Sequence, residues 1–186
     1  KDDNISLEEI KYIQSKLSTK VNEIEDLTKI TSQTLSEVTH YTSVAVGPRA
    51  EEQKIQEIKS DDKDALWAGN SNITGQYLVA NGVKTLNGVH MYPNFEWLKE
   101  LDSEGKYDEV YNRFAHIHIA LGKETSFSLL APDSYLATLT YEDFKKLGIK
   151  YYYSSQKCSD EIIDEFNLES KYSNDENSQY IYLINY

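Results

Sequence analysis

Cysteine is nearly absent: Cys158 stands alone among 186 residues. No internal disulfide can form, and no zinc site built on cysteine ligands can be assembled. A single thiol fits the cytoplasm and equally the outside of a bacterium that rarely uses disulfides, so it leaves the compartment open. Long hydrophobic runs are missing as well. The longest candidates, such as Ile117 to Leu121, are strand-sized, far from the roughly 20 residues that cross a bilayer. The opening Lys-Asp-Asp-Asn lacks the apolar stretch of a signal peptide. The sequence as given is therefore expected to be a soluble piece. Basic residues are scarce, 19 against 31 acidic ones, for a net charge of −12. Such a field repels phosphate backbones, and no basic patch opposes it, which excludes nucleic acid as a partner. It also disfavours anionic membrane surfaces unless a covalent anchor holds the chain there. No internal repeat and no long low-complexity segment occurs.

Hydrophobic residues make up 39% and aromatics 12%, enough for a real core and too much for disorder throughout. Fifteen tyrosines stand against five Phe and two Trp. A phenol buries its ring and keeps its hydroxyl wet, so this bias suits a partly solvated surface or interface. Compositional drift in an AT-rich genome would produce the same bias.

Residues 6 to 39 carry a helical pattern. Ser6 and Glu9 form a capping box, and Leu7, Ile10, Leu17, Val21, Ile24 and Leu27 recur at helical spacing. Thr42 to Val46 reads as a strand stopped by Gly47-Pro48, and Ala50 to Ser60 as a helix with Ile55 and Ile58 inward. Ala65 to Ala68 is a strand candidate. Around Asn81-Gly82, two short apolar runs predict either a hairpin or a helix cap followed by a strand. Helices are expected after Pro93 and over Tyr107 to Tyr111. Phe114 to Leu121 alternates as a strand, and Thr125 to Leu130 pairs with Tyr135 to Leu139 around Pro132-Asp133. Thr140 caps a helix ended by Gly148, and Ile149 to Tyr153 is a strand. Asp160 to Phe166 is helical, Ser170 to Ser178 a polar loop, and Tyr180 to Ile184 a closing strand. Alternating strands and helices predict an α/β fold with a mixed, largely parallel sheet covered by helices. An N-terminal helical extension over 1–40 precedes the α/β domain at 41–186.

Few residues suggest chemistry. His116 and His118 lie two apart on a strand, so they share a face. Without a third ligand at motif spacing they read as structural histidines before a metal site, and no metal or cofactor is expected. The segment from Asn87 to Asn94 crowds polar, aromatic and glycine residues between a strand and a helix. It reads first as a connecting loop, and next as the best local ligand site, with Asn87, His90, Tyr92 and Asn94 as contacts. Arg113 either clamps a carboxylate or phosphate, or pairs with surface acids. Phosphate loops, nucleophile elbows, H-E-x-x-H and Cys–His nucleophile patterns do not occur. No catalytic residue is assigned.

Two stretches add a resemblance. Leu78-Val79-Ala80-Asn81-Gly82-Val83-Lys84-Thr85-Leu86-Asn87-Gly88 continues through Met91-Tyr92-Pro93-Asn94 to Tyr111-Asn112-Arg113-Phe114-Ala115-His116. Leu147-Gly148-Ile149-Lys150-Tyr151-Tyr152-Tyr153-Ser154 is followed by Tyr180-Ile181-Tyr182-Leu183-Ile184. Over residues 64 to 186 the chain resembles the C-terminal extracytoplasmic domains of bacterial membrane proteins of the YfhO-like and GT-C-type glycosyltransferase families. There a Leu-Gly-Val-Lys-Tyr strand follows a short helix, and Ile149 takes the valine place. The resemblance implies upstream membrane helices of the same polypeptide and a place on the extracytoplasmic face of the bacterial membrane. It also implies an accessory, non-catalytic role in cell-envelope glycan assembly, near a glycan or lipid-linked sugar acceptor. Two other readings remain open: a module binding a glycan or envelope protein through residues 87 to 94, and a free-standing hydrolase using His116 or His118.

Overall fold

A computed structural model describes Ile30 and residues 50–186, apart from Pro93, Phe114 and the side chain of His90. The expected helical extension over 1–40 (Ile30 itself aside) and the strand at Thr42 to Val46 lie outside the described residues. The chain divides into two compact units, Lys1–Gln53 and Lys54–Tyr186. The second contains every strand found among the described residues.

Among the described residues, α1 (Ala50–Asp61) leads to β1 (Leu66–Gly69), α2 (Asn72–Ala80), β2 (Val89–His90), α3 (Phe95–Leu101) and α4 (Asp108–Tyr111). Then come β3 (Ala115–Leu121), β4 (Ser126–Ala131), β5 (Ser134–Leu139), α5 (Tyr141–Leu147) and β6 (Ile149–Ser154). The chain closes with α6 (Asp160–Glu165), β7 (Leu168–Asn174) and β8 (Gln179–Ile184). Local chemistry explains several boundaries. Ser71 and Thr74 form a reciprocal capping box at the start of α2, as do Thr140 and Asp143 at α5. Gly148 ends α5 in the left-handed region at φ 69°, a conformation that costs a residue with a Cβ about 1–2 kcal/mol. At Asn81-Gly82 the helix cap forms and the hairpin does not: Asn81 closes α2 and Gly82 turns at φ 68°, while the strand expected after the cap is reduced to an isolated bridge between Thr85 and Trp67.

The expectation of one largely parallel sheet is corrected. Two four-stranded mixed sheets form, ordered β1-β6-β8-β7 and β2-β3-β5-β4. Only β1 with β6 and β3 with β5 run parallel, and the other pairs are antiparallel. The physical reason lies in the connections. Pro132-Asp133 between β4 and β5, and the short link from β7 to β8, allow only antiparallel neighbours, because a parallel pair needs a crossover. Ser170 to Ser178 is likewise not simply a loop. Its first half belongs to β7, a polar edge strand paired with β8. An edge strand buries little side chain, so it lacks the apolar alternation that would reveal it.

The sheet built on β6 is buried on both faces. Trp67, Tyr151, Tyr153 and Ile181 pack with Ile55, Ile58 and Leu78 from α1 and α2 on one side. On the other, Tyr152, Tyr180 and Tyr182 join Ile117, Ile119, Phe127, Tyr135 and Leu139 of the second sheet, with Trp97, Phe144 and Phe166. This explains why β6 reads Ile-Lys-Tyr-Tyr-Tyr-Ser with Lys150 alone exposed, the near-continuous burial of an interior strand. The second sheet buries one face only, and β3 alternates accordingly between Ile117 and Ile119 inside and His116 and His118 on the wetter side. Among the described residues seven tyrosines are buried and the other six are half-buried or exposed, so tyrosine serves the core as well as the wetter surface. Several of their hydroxyls find internal partners: Tyr152 donates to the Ile119 carbonyl at 3.2 Å, joining the two sheets, and Tyr111 to Asp108 at 2.6 Å.

Candidate functional site

The parallel pair β1–β6 places two strand ends side by side, and β3 ends nearby. In α/β sheets the space beyond such carboxyl ends forms the ligand crevice, because loops diverge there and helix starts point into it. A cleft of about 510 Å³ occupies this position, lined by Asn70, Ser71, His118, Tyr152 and the segment Ser154 to Ser159.

Close packing fixes its floor. A Cβ on Gly69 would lie 2.6 Å from Thr74 Oγ1, so β1 can turn into α2 this tightly only with glycine there. Asn70 then ties the two strand ends together: its N–H donates to the Tyr153 carbonyl at 2.9 Å, and its side-chain amide donates to Ser155 Oγ at 3.1 Å. Asn70 Oδ1 accepts from the Thr74 hydroxyl at 3.1 Å. Ser154 is buried, and its hydroxyl donates to the Gln156 carbonyl at 2.6 Å while accepting from the Gln156 N–H at 3.0 Å. Ser159 caps α6 by accepting from the Ile162 N–H. One side of the cleft is thus made of hydroxyls and amides held by the backbone, and Ile119, Ala120, Leu121 and Ile162 line it as well.

Electrostatics keep the cleft uncharged at neutral pH, apart from Lys157. Burial, and then the neighbouring His116, hold the His118 imidazole below its ordinary range, so it is neutral and offers one donor and one acceptor. Burial pushes the Cys158 thiol up, with a hydrogen bond to Tyr182 opposing. A protonated thiol is a poor nucleophile. Burial also raises the Tyr182 phenol to about 12. Among the described residues no group of three or more His, Cys, Asp and Glu could hold a metal ion.

The structure does not bring the sequence candidates together. Asn87 is fully buried, accepting from the Gly69 N–H at 2.8 Å and donating to the carbonyls of Gly69, Ser71 and Ile117 at 2.8–3.1 Å. Its polar atoms serve the joint between β1 and β3. His90 pairs through its backbone with Ala115. Tyr92 is 82% exposed, and Asn94 caps α3 by accepting from the Glu96 N–H at 3.2 Å. Arg113 donates to the carbonyls of Pro132 and Glu109, holding the β4–β5 turn against α4. His116 meets Asn72 at 3.0 Å and approaches Asp133 at 3.9 Å. Of the seven, His118 alone lines the cleft. Sequence reasoning missed Asn70 and Ser154 to Ser159, although six polar or thiol residues between a strand and a capped helix were a readable signal. From sequence, the crevice is expected beyond Val83 to Leu86, which has the look of a strand, and nothing in the chain order makes β1 and β6 neighbours.

The fold and this cleft define a mixed α/β domain with a hydroxyl- and amide-lined crevice at the carboxyl ends of a parallel strand pair. Residues 48–186 match the family described as a domain of unknown function, DUF7654, and the chain belongs to that family. No curated protein and no solved structure matches it.

Proposed function

We propose that this is a non-catalytic, extracytoplasmic accessory domain of a membrane-embedded glycosyltransferase-like protein, and that it holds a cell-envelope glycan in the crevice. The lining of that crevice carries the reading. Asn70, Ser71, Ser154, Ser155, Gln156 and Ser159 present neutral hydroxyls and amides beside Lys157 and the apolar Ile119, Ala120, Leu121 and Ile162, and no carboxylate of the described residues joins them despite the chain's acidity. Hydroxyl-rich ligands exchange water hydrogen bonds for such groups without leaving a charge buried. The resemblance of residues 64 to 186 to the outer domains of membrane glycosyltransferases supplies the setting, with membrane helices upstream and an acceptor glycan at hand.

The test is calorimetric titration of the protein with soluble fragments of purified envelope glycan, beside a Ser155→Trp variant. Ser155 is exposed, so the indole fills the crevice without disturbing the core. Binding by the native protein and its loss in the variant is the expected result. No binding to any glycan fragment, equal binding by the variant, or sugar transfer by the domain alone would overturn the proposal. A second reading rests on Met91 and Tyr92, which are 74% and 82% exposed. Paired apolar side chains that wet suit a protein partner, and under this reading the domain binds an envelope protein through that loop.

A further inference from the structure

The two sheets have four edges, and three of them are closed to further pairing. β1 is four residues long and already bonded along its outer side: the Trp67 N–H donates to the Lys84 carbonyl, and the Leu86 N–H to the Trp67 carbonyl. β2 has two residues. β7 carries Glu169, Lys171 and a bulge between Ser170 and Tyr172. Short length, charge and bulges are the devices that keep a sheet edge from joining another strand. β4 departs from this pattern. It reads Ser-Phe-Ser-Leu-Leu-Ala, without a charge or a proline, and is regular from Ser126 to Leu129, where its bulge begins. As the outermost strand it pairs with β5 alone, so alternate residues turn their N–H and C=O groups away from the sheet. Ser128, Leu129 and Leu130 are exposed, the two leucines to 49% and 56%.

We propose that β4 pairs antiparallel with β4 of a second copy of this chain, about a two-fold axis at Ser128, to give one eight-stranded sheet. Such an axis makes a single strand its own complement. Charge selects both the partner and the register. A net charge of −12 sets two copies against each other wherever acidic surfaces meet, and β4 itself is uncharged. Its ends are complementary. Pairing about Ser128 brings Lys123 opposite Asp133 of the second copy, and Glu124 opposite Pro132, whose carbonyl accepts from the Arg113 guanidinium at 3.0 Å. The bulge moves this alignment by one residue. Lys123, Glu124 and Asp133 are exposed, and the pair that Lys123 makes with Glu161 of its own chain is also exposed and worth little. Each end thus sets a lysine and an arginine against a glutamate and an aspartate, and the axis repeats the set at the other end. One strand pair covers less than the roughly 1,200–2,000 Å² of a stable interface, so the dimer is weak, dissociating on the order of 0.1 mM. It does not depend on the function proposed for the crevice.

Sedimentation equilibrium of the full chain between about 10 μM and about 1 mM, a range that brackets so weak a contact, reads the association. The average mass is expected to climb from 21.4 kDa toward twice that value as concentration rises. Ser128→Lys, at an exposed position that the fold tolerates, sets two ammonium groups directly opposite each other and should weaken association at least about fivefold. The register is read by Ser128→Cys in a Cys158→Ser background. Opposed residues of an antiparallel pair have Cα atoms about 4.5–5.5 Å apart, within disulfide reach, so mild oxidation should trap a dimer. Ser173→Cys, exposed on the β7 edge, should stay monomeric under the same oxidation. A mass fixed at 21.4 kDa over the whole range would leave this edge to a strand of another protein and overturn the proposal. Undiminished association of Ser128→Lys, or equal trapping through Ser173→Cys, would also overturn it.

Discussion

Replacing Asn87 by Ala tests the joint on which the whole arrangement depends. Asn87 is fully buried and bonds to Gly69, Ser71 and Ile117. Alanine would leave the Gly69 N–H without its 2.8 Å acceptor, a loss of about 1–3 kcal/mol for a buried donor. The carbonyls of Gly69 and Ile117 would each lose a donor, at about 1 kcal/mol apiece. Ser71 is less affected, because its carbonyl also accepts from the Gly75 N–H and the Thr74 hydroxyl. The sum is about 3–5 kcal/mol, a large part of the roughly 5–15 kcal/mol that holds a domain together. Urea unfolding followed by tryptophan fluorescence and circular dichroism measures it directly. Asn87→Asp keeps an acceptor for Gly69 but sets a carboxylate against three carbonyl oxygens. It should be no more stable than the alanine variant at neutral pH, and should recover partly as acid protonates the carboxyl. An alanine variant within about 1 kcal/mol of the native protein would refute the reasoning. Asn87 would then have to be reconsidered as a ligand contact.

Two further outcomes are expected. Gly75→Ala places a Cβ 2.6 Å from the Asn87 carbonyl oxygen, so overpacking of about 1–3 kcal/mol should exceed the helix-propensity gain of about 1 kcal/mol; a variant with a raised melting temperature would contradict this. His118, whose folded pKa is lowered by burial and His116, resists protonation that the unfolded chain accepts. Its contribution is therefore intact above the unfolded value of about 6.5 and is lost as pH falls below it. The urea midpoint should drop less between pH 7.5 and pH 5, a window of about 2.5 units, in His118→Gln than in the native protein, and equal drops would refute the assignment.

Local order was largely legible in the sequence, because each signal is self-contained. Thr140 and Asp143 satisfy each other's N–H groups within one turn, Gly148 supplies a left-handed φ that other residues resist, and Pro132-Asp133 turns between two adjacent strands. Alternation along Ala115 to Leu121 correctly assigned its buried and wet faces. What the chain could not disclose was pairing across long separations. That β6 lies between β1 and β8, that two sheets exist, and that only two pairs run parallel follow from burying Tyr152 and Trp97 in one core and Trp67 and Tyr151 in another. The same holds for the sites. Asn87 has the look of a loop residue open to a ligand, and tertiary packing turns it inward. Asn70 and Ser155, 85 positions apart, have no visible relation until the parallel pair makes them neighbours. Caps, turns and periodicity are decided by residues a few positions apart, whereas crevices form where distant strand ends meet, and only the tertiary structure decides which ends those are.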